Sequence, residues 1–362
     1  MFPSRGRGHS QEMRVVVTGA TGNVGTSLLR ALADDPQVES VLGLARRVPE
    51  IGFPKTEWGA VDVAHSSDLA DRFAGADAVV HLAWAIQPGR DRETLHAVNV
   101  GGSRRVFQAA VDAGVPALVY ASSVGAYAPG PKDRPVDESW PTTGLETSFY
   151  ARHKAEVERI LDDVEGRNPR LRSVRLRPGL VFKREAASEI RRLFAGPFLP
   201  TPLVRPGLIP VVPDDPRLVF QAVHSLDIGE AFRLAIVGDA RGAFNVAADP
   251  VLDPGELARL LGARRVRLPG KALRAGAAAS WRMRLQPSEP GWVDMALSVP
   301  VMDCTRAHDE LGWEPRHTSS EALLELIDGI RESAGIATPP LSPRAGGPLR
   351  IRELLTGVGA RD

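Results

Sequence analysis

From Arg14 onward, short apolar runs alternate with stretches whose apolar residues recur at helical spacing. Val15, Val16 and Val17 form a continuous apolar run, which suits a strand buried on both faces. The segment TGATGNVG (18–25) follows, and then a helical stretch from Thr26 to Ala33. Further strands are expected at Val41–Ala45 (VLGLA), ending near Ala60-Val61, at Ala78–Leu82 (AVVHL), at Ala117–Ala121 (ALVYA) and at Leu171–Leu176. A long helix is expected over Glu93–Ala113, with Leu95, Val98, Val106, Ala109 and Ala110 near helical spacing, and another from about Ser148 to Asp163. Strands that alternate with helices imply βαβ crossovers and hence a parallel sheet.

The fold class is therefore α/β: a doubly wound parallel sheet of the Rossmann type, with a smaller, partly interwoven C-terminal substrate lobe. The texture changes after residue 178, where residues 196–216 hold seven prolines. Asp253-Pro-Gly-Glu256 reads as a helix start, with Asp253 as N-cap and Pro254 at the first helical position. The expected divisions are a loose tail over 1–12, a dinucleotide-binding domain over 13–178, a substrate-binding lobe over 179–335 and a loose tail over 336–362. Within that last tail, residues 349–357 are a candidate peripheral helix.

Composition narrows the classes. The chain has 362 residues with 45 basic and 44 acidic side chains, so no net field favours nucleic acid or a membrane surface. No apolar run is long enough to span a bilayer, and the N-terminal arginines are not followed by the apolar stretch of a secretory signal. A soluble cytoplasmic protein with a small-molecule substrate is the expectation. A single cysteine, Cys304, excludes an internal disulfide framework and Cys-rich metal sites. Neither His81 nor His153 has metal-ligand spacing with another His or Cys, so both read as structural and no metal is expected. Only five basic residues are lysines (Lys55, Lys132, Lys154, Lys183 and Lys271), so a lysine inside a motif stands out.

Gly19, Gly22 and Gly25 lie between a buried strand and a helix, where bare backbone N–H groups and a helix N-terminus can cradle a phosphate. The spacing is GxxGxxG. The residue that reads the adenosine ribose should sit at the carboxyl tip of the second strand. Glu39 lies at the wrong end of that strand, whereas Ala45-Arg46-Arg47 lies at the tip. A small residue followed by two cations suits a 2′-phosphate, so the cofactor reading leans toward NADP over NAD. Asp62, after the third strand, is either an acceptor for the adenine amino group or a local cap.

Tyr150 and Lys154 are four apart on a predicted helix and share a face. A tyrosine is a poor base at neutral pH unless a nearby cation favours its phenolate. Ser122-Ser123 follows the fifth strand, at the carboxyl edge where ligands of such sheets bind. A serine there can donate to a carbonyl oxygen that becomes negative as hydride arrives.

With these residues the chain resembles the extended short-chain dehydrogenase/reductases, the NAD-dependent epimerase/dehydratase family. The matching pieces are TGATGNVG (18–25), Asp62-Val63, HLAW (81–84), Asn99-Val-Gly101, SSVGAY (122–127), YARHK (150–154), LRPG (176–179), VHSLDIGEA (223–231), FNVA (244–247) and LGWEP (311–315). The resemblance implies Ser123, Tyr150 and Lys154 as catalytic residues, with Lys154 also on the nicotinamide ribose and Asn99 supporting the site. It implies a cofactor held by Gly19, Thr21, Gly22, Asn23, Val24, Gly25, Asp62, Val63, Leu82, Ala83 and Pro178. It places Trp84, Tyr127 and Phe149 in the substrate pocket beside Ser123, and it makes a homodimer the usual assembly.

Departures from the family pattern bear on the substrate. Dehydratases of the family carry an Asp-Glu pair where Val124-Gly125 stands, which argues against dehydration. Nucleotide-sugar epimerases have an asparagine soon after the arginine matching Arg177, where this chain has Pro178-Gly179. They also have an arginine at the position of Phe220, with Arg217 the nearest substitute here. The expected activity is NAD(P)-dependent hydride transfer between nicotinamide and a secondary alcohol or ketone. The alternatives are a nucleotide-sugar epimerase with retained NAD and a non-catalytic dinucleotide sensor.

Overall fold

The computed structural model describes residues 12–87 and 90–343. The expectation of a loose tail over 1–12 falls almost wholly outside these residues, as does the candidate helix at 349–357. Seven strands form the main sheet: β1 Met13–Thr18, β2 Val38–Ala45, β3 Thr56–Ala60, β4 Ala78–His81, β5 Ala117–Ala121, β6 Arg172–Pro178 and β7 Gly242–Val246. Their order is β3-β2-β1-β4-β5-β6-β7, and every neighbouring pair is parallel. The order reverses direction between β1 and β4, which opens the crevice where such sheets bind ligands.

The alternation of side chains across β1 explains its unbroken apolar run. Val15 and Val17 join one core with α1 (Asn23–Ala33) and the helix Ser225–Val237, whereas Val16 joins the opposite core. That second core is closed by α2 (Arg92–His96), α3 (Gly102–Asp112) and α4 (Phe149–Arg167). The single helix expected over 93–113 is divided: a five-residue π turn, Ala97–Gly101, separates α2 from α3. Such turns recur at functional positions, and this one holds Asn99.

Beyond β6 the chain builds a second sheet from Leu180–Phe182, Phe220–His224 and Ala248–Leu252, and β7 returns to the main sheet between two of its strands in sequence. The helix start read from sequence forms at Pro254, where Asp253 accepts from the Glu256 N–H at 2.7 Å. The described part of the expected C-terminal tail, 336–343, is packed rather than loose: Thr338 and Leu341 are fully buried, and Ser188 donates to the Ala334 carbonyl beside them at 3.2 Å. The apolar Leu341 finds a core site that its Pro- and Gly-rich surroundings conceal.

One buried ion network fixes α4 on the sheet. Glu158 is fully buried and receives Arg175 Nη1 at 2.9 Å, Arg177 Nε at 2.9 Å and Arg177 Nη2 at 3.0 Å, both arginines standing on β6. The Ser122 hydroxyl also donates to it. Burial alone would raise the Glu158 pKa, but the two guanidinium groups and Ser122 outweigh burial and hold it down to about 2.

A group whose folded pKa is depressed stabilises the fold above its unfolded pKa and loses that contribution as pH falls through the folded value. Removing one partner of a buried pair costs about 3–5 kcal/mol. Glu158→Gln is therefore expected to lower unfolding stability by about 3 kcal/mol at pH 7, with the gap to wild type closing on acidification toward pH 2. Urea titrations at pH 7 and pH 3 measure it; a gap that does not shrink in acid contradicts this assignment.

Candidate active site

The glycine turn leaves β1 at Thr18 and is pressed against the segment that follows β4. Gly19 has φ +76°, and a Cβ there would stand 2.6 Å from the Ala83 nitrogen. A Cβ on Gly25 would stand 2.5 Å from the Ala20 carbonyl oxygen, so α1 can seat on the turn only with glycine there. Gly22 differs, since a Cβ there would meet only the Gly19 carbonyl, at 3.5 Å. It is also the N-cap of α1, which has no side-chain capping bond and no acid in its first turn. The first N–H groups of α1 thus lack side-chain acceptors, on the one side of the turn that is open. Asn23 anchors the start of α1 by donating to the Val181 carbonyl at 3.0 Å, while its own Oδ1 is buried without a partner. These features fit a dinucleotide diphosphate.

Arg46 and Arg47 follow β2 and are exposed, and Arg46 interacts electrostatically with Asp62. Asp62 accepts from the Ala64 N–H at 3.0 Å and lies 3.4 Å from His65, so it shapes its own turn while keeping part of its carboxylate accessible. Val63 packs against Gly102, where a Cβ would meet its Cγ2 at 2.9 Å. Leu82 and Ala83 run along the glycine turn, with the Leu82 N–H donating to the Thr18 carbonyl at 3.0 Å. Pro178 ends β6 in register with Val246.

Asn99 is fully buried in the π turn and holds the loop after β4 by both ends of its amide. It accepts from the Ala85 N–H at 2.7 Å and donates to the Ala85 carbonyl at 2.8 Å. That bond pair fixes the neighbouring Trp84. His81 bridges Thr18 (2.7 Å) and Ser103 (2.9 Å), and burial takes its pKa down to about 3. Burial likewise takes His153 down to about 4, and the half-buried Cys304 thiol is pushed up to about 12 by burial.

The structure separates the two serines. Ser122 is committed to Glu158, whereas Ser123 accepts from the Gly125 N–H at 3.0 Å and lies beside the Tyr150 phenol. Burial raises the Tyr150 pKa above its ordinary value, with Ser123 pulling the other way. Lys154, one turn on, donates to the Ala121 carbonyl at 2.6 Å and lies 5.8 Å from the Tyr150 ring centre. Its ammonium sits 3.6 Å over the Trp84 ring. Burial takes the Lys154 pKa well down, with Glu158 opposing.

Two of the expected pocket residues are placed elsewhere. Tyr127 is 1% exposed, its hydroxyl donating to Asn245 at 2.7 Å and accepting from Arg177 at 3.0 Å. Phe149 is likewise 1% exposed, under the Arg92 guanidinium at 4.4 Å. Both are core residues because their partners already satisfy them, so neither offers surface to a ligand. Trp84 does flank Tyr150, with ring centres 5.9 Å apart. The other aromatic neighbour, missed in the sequence, is Trp292, whose ring lies 4.9 Å from Tyr150 and 4.9 Å from Phe194. It stands far along the chain in no motif, so only the fold brings it there.

The departures have structural counterparts. A Cβ on Gly125 would stand 3.0 Å from the Tyr150 ring and 3.1 Å from the Met295 sulfur, so a side chain there would have to displace one of them. A Cβ on Gly179 would stand 2.5 Å from the Gln221 carbonyl oxygen, leaving none for an asparagine. Phe220 packs into the core of the second sheet, and Arg217 is paired with Asp215 at 2.9 Å. A cluster not singled out in the sequence joins His224, Asp227 and His317, whose ligating atoms lie within 4.8 Å of one another. Within it, His224 Nδ1 accepts from the Leu226 N–H at 3.2 Å and His317 Nδ1 meets Asp227 at 3.0 Å, while His224 Nε2 is buried 3.2 Å from a Glu325 carboxylate oxygen.

Among the described residues no helix is long and apolar enough to cross a membrane. An uncharacterized protein of Mycobacterium tuberculosis is 26% identical over 326 residues, which cover 90% of this chain and 31% of that protein. The chain thus spans about a third of the length of this relative and of its two Mycobacterium counterparts. The L-arabinose 1-dehydrogenase (NAD(P)(+)) of Haloferax volcanii is 36% identical over 110 residues, 30% of this chain and 41% of that one. The fold is shared with the UDP-glucose 4-epimerase of Thermus thermophilus, solved with NAD: TM-score 0.63, 24% identity, 88% of this chain and 99% of that one. Residues 15–194 match the family model for the NAD dependent epimerase/dehydratase family, and the chain belongs to that family.

Proposed function

We propose that this protein is an NAD(P)-dependent oxidoreductase that moves hydride between nicotinamide and a secondary alcohol or ketone. The observation that carries the reading is the placement of Tyr150 beside Ser123, with Lys154 one turn along and bonded to the Ala121 carbonyl at 2.6 Å, all at the carboxyl edge of the sheet that the glycine turn borders. The cofactor, when bound, supplies or accepts the hydride. Gly19, Thr21, Gly22, Asn23, Val24 and Gly25 would hold its diphosphate, Asp62 and Val63 its adenine, Leu82, Ala83 and Pro178 its length, and Lys154 its nicotinamide ribose. Arg46 and Arg47 favour NADP over NAD because two exposed guanidinium groups at the β2 tip complement a 2′-phosphate.

The chain's own residues move the proton. Burial keeps the Tyr150 phenol protonated at neutral pH, the form that donates to a forming alkoxide. Ser123 donates to the same oxygen and stabilises its negative charge. The Lys154 ammonium favours the phenolate once the proton has left. In the oxidation direction the same proton returns to Tyr150. Asn99 acts one step removed, holding the Ala85 backbone and with it Trp84.

A second reading, a nucleotide-sugar epimerase with retained NAD, draws support from the UDP-glucose 4-epimerase neighbour. The filled positions at Gly179 and Phe220 and the Arg217–Asp215 pair weigh against a substrate diphosphate. Heat-denaturing the purified protein and assaying released dinucleotide discriminates the two. The oxidoreductase reading expects exchangeable cofactor consumed in proportion to substrate, and stoichiometric retained NAD without net turnover contradicts it.

Tyr150→Phe is expected to lower turnover by about 10²–10⁴-fold while leaving dinucleotide affinity within about threefold; full activity in the variant contradicts the acid/base role. Replacing Arg46 and Arg47 together by Ala is expected to lower the NADP-over-NAD affinity ratio about tenfold or more. A ratio unchanged in fluorescence titrations removes the 2′-phosphate assignment.

A further inference from the structure

Lys183 is one of five lysines in the chain, follows the strand Leu180–Phe182, and is fully buried. Its ammonium lies against the first turn of α1, donating to the Asn23 carbonyl at 2.8 Å, Thr26 Oγ1 at 2.7 Å and Ser27 Oγ at 3.0 Å. All three donors are thus used on neutral oxygens. Ser225 reinforces the arrangement by hydrogen-bonding Ser27 at 2.8 Å and donating to the same Asn23 carbonyl at 3.1 Å.

This is an electrostatically unfavourable place for a cation. The N-terminus of a helix carries about half a positive charge from its aligned peptides, and α1 has no acid in its first turn. The charged groups around Lys183 are Glu185 and Glu189 on its own segment, Arg30 on α1 and Glu325 on the helix Ser319–Glu332. None of these carboxylates is an ion-pair partner for it. Glu185 is paired with Arg30 at 3.1 Å, and Glu325 accepts from the Arg184 N–H at 3.0 Å. Glu189 is itself pushed up to about 7 by burial. These carboxylates act on Lys183 without forming an ion pair with it, and a buried cation beside a positive helix end is further stabilised by an anion arriving at that end.

We propose that Lys183 is a positioning residue for the cofactor: it adds a positive charge at the first turn of α1, so that the dinucleotide diphosphate supplies the direct ionic partner that the fold does not. The proposal rests on the dinucleotide-binding reading above and adds a residue from outside the glycine turn. Burial holds the Lys183 pKa down to about 7 in the free protein. A diphosphate favours the charged form, so binding above pH 7 takes up a proton and affinity falls as pH rises.

Calorimetric titration with ADP-ribose, in two buffers of different ionisation enthalpy at pH 6.5, 8 and 9, tests this on the full chain. Lys183→Met keeps the volume and removes the charge, and Lys183→Gln keeps hydrogen bonding without charge, with circular dichroism checking both folds. The expected result is about tenfold weaker binding in both variants at pH 6.5, a gap that narrows by pH 9, and proton uptake at pH 8 that is larger in wild type than in either variant. Equal affinity and equal proton uptake in wild type and variants overturn the role of Lys183. A wild-type protein that binds no ADP-ribose overturns the dinucleotide reading and this proposal with it.

Discussion

The geometry of the site depends on where α4 is pinned. Tyr150, Lys154 and Glu158 follow one another at one-turn intervals, so they share a helix face. Glu158 is locked by Arg175 and Arg177 of β6 and by Ser122 at the end of β5. With that rung fixed, the helix has little freedom to rotate. Lys154 reaches the last carbonyl of β5, and Tyr150 meets Ser123 two residues beyond it. A buried ion network of this kind gives little net stability, since desolvation consumes most of the attraction. Its value here is registry: it converts a helix position into a defined place for a phenol and an amine.

On the other side of the crevice the constraint is steric. Gly19 and Gly25 let the turn and α1 close onto backbone that any side chain would hold away. Trp84 and Trp292 both pack against Tyr150, one on the loop held by Asn99 and the other on the helix Gly291–Ser298. Glu289, three residues before Trp292, accepts from the Phe149 N–H at the start of α4 and pairs with Arg92. The lobe is thereby tied to the helix that carries the phenol. Aromatic rings thus flank Tyr150, and Arg217 is already paired with Asp215.

Much of this was readable from the chain because it depends on local pattern. The six strands of the N-terminal half, the glycine turn, the pairing of Tyr150 with Lys154 and the capping by Asp253 each follow from periodicity or from spacing within one turn. What was hidden depends on contacts between distant segments. Trp292 and Phe194 have no motif, and the second sheet is built from three-to-five-residue strands too short to carry a period. The π turn at Asn99 sits inside a stretch whose apolar spacing reads as unbroken helix. Tyr127 and Phe149 read as pocket residues because an aromatic near a catalytic motif looks the same whether it faces a ligand or a core. Only their filled hydrogen bonds and ring contacts tell the two apart. Glu158 was within reach, since it lies four residues past Lys154, but its partners on β6 were not.

A crystal structure of the protein with bound NADP tests the central claim most directly. The account predicts the diphosphate on the backbone of residues 19–25, the nicotinamide ribose on Lys154, and the nicotinamide ring facing a space bordered by Ser123 and Tyr150. A nicotinamide ring bound away from Tyr150, or a diphosphate held elsewhere than at the start of α1, would contradict it.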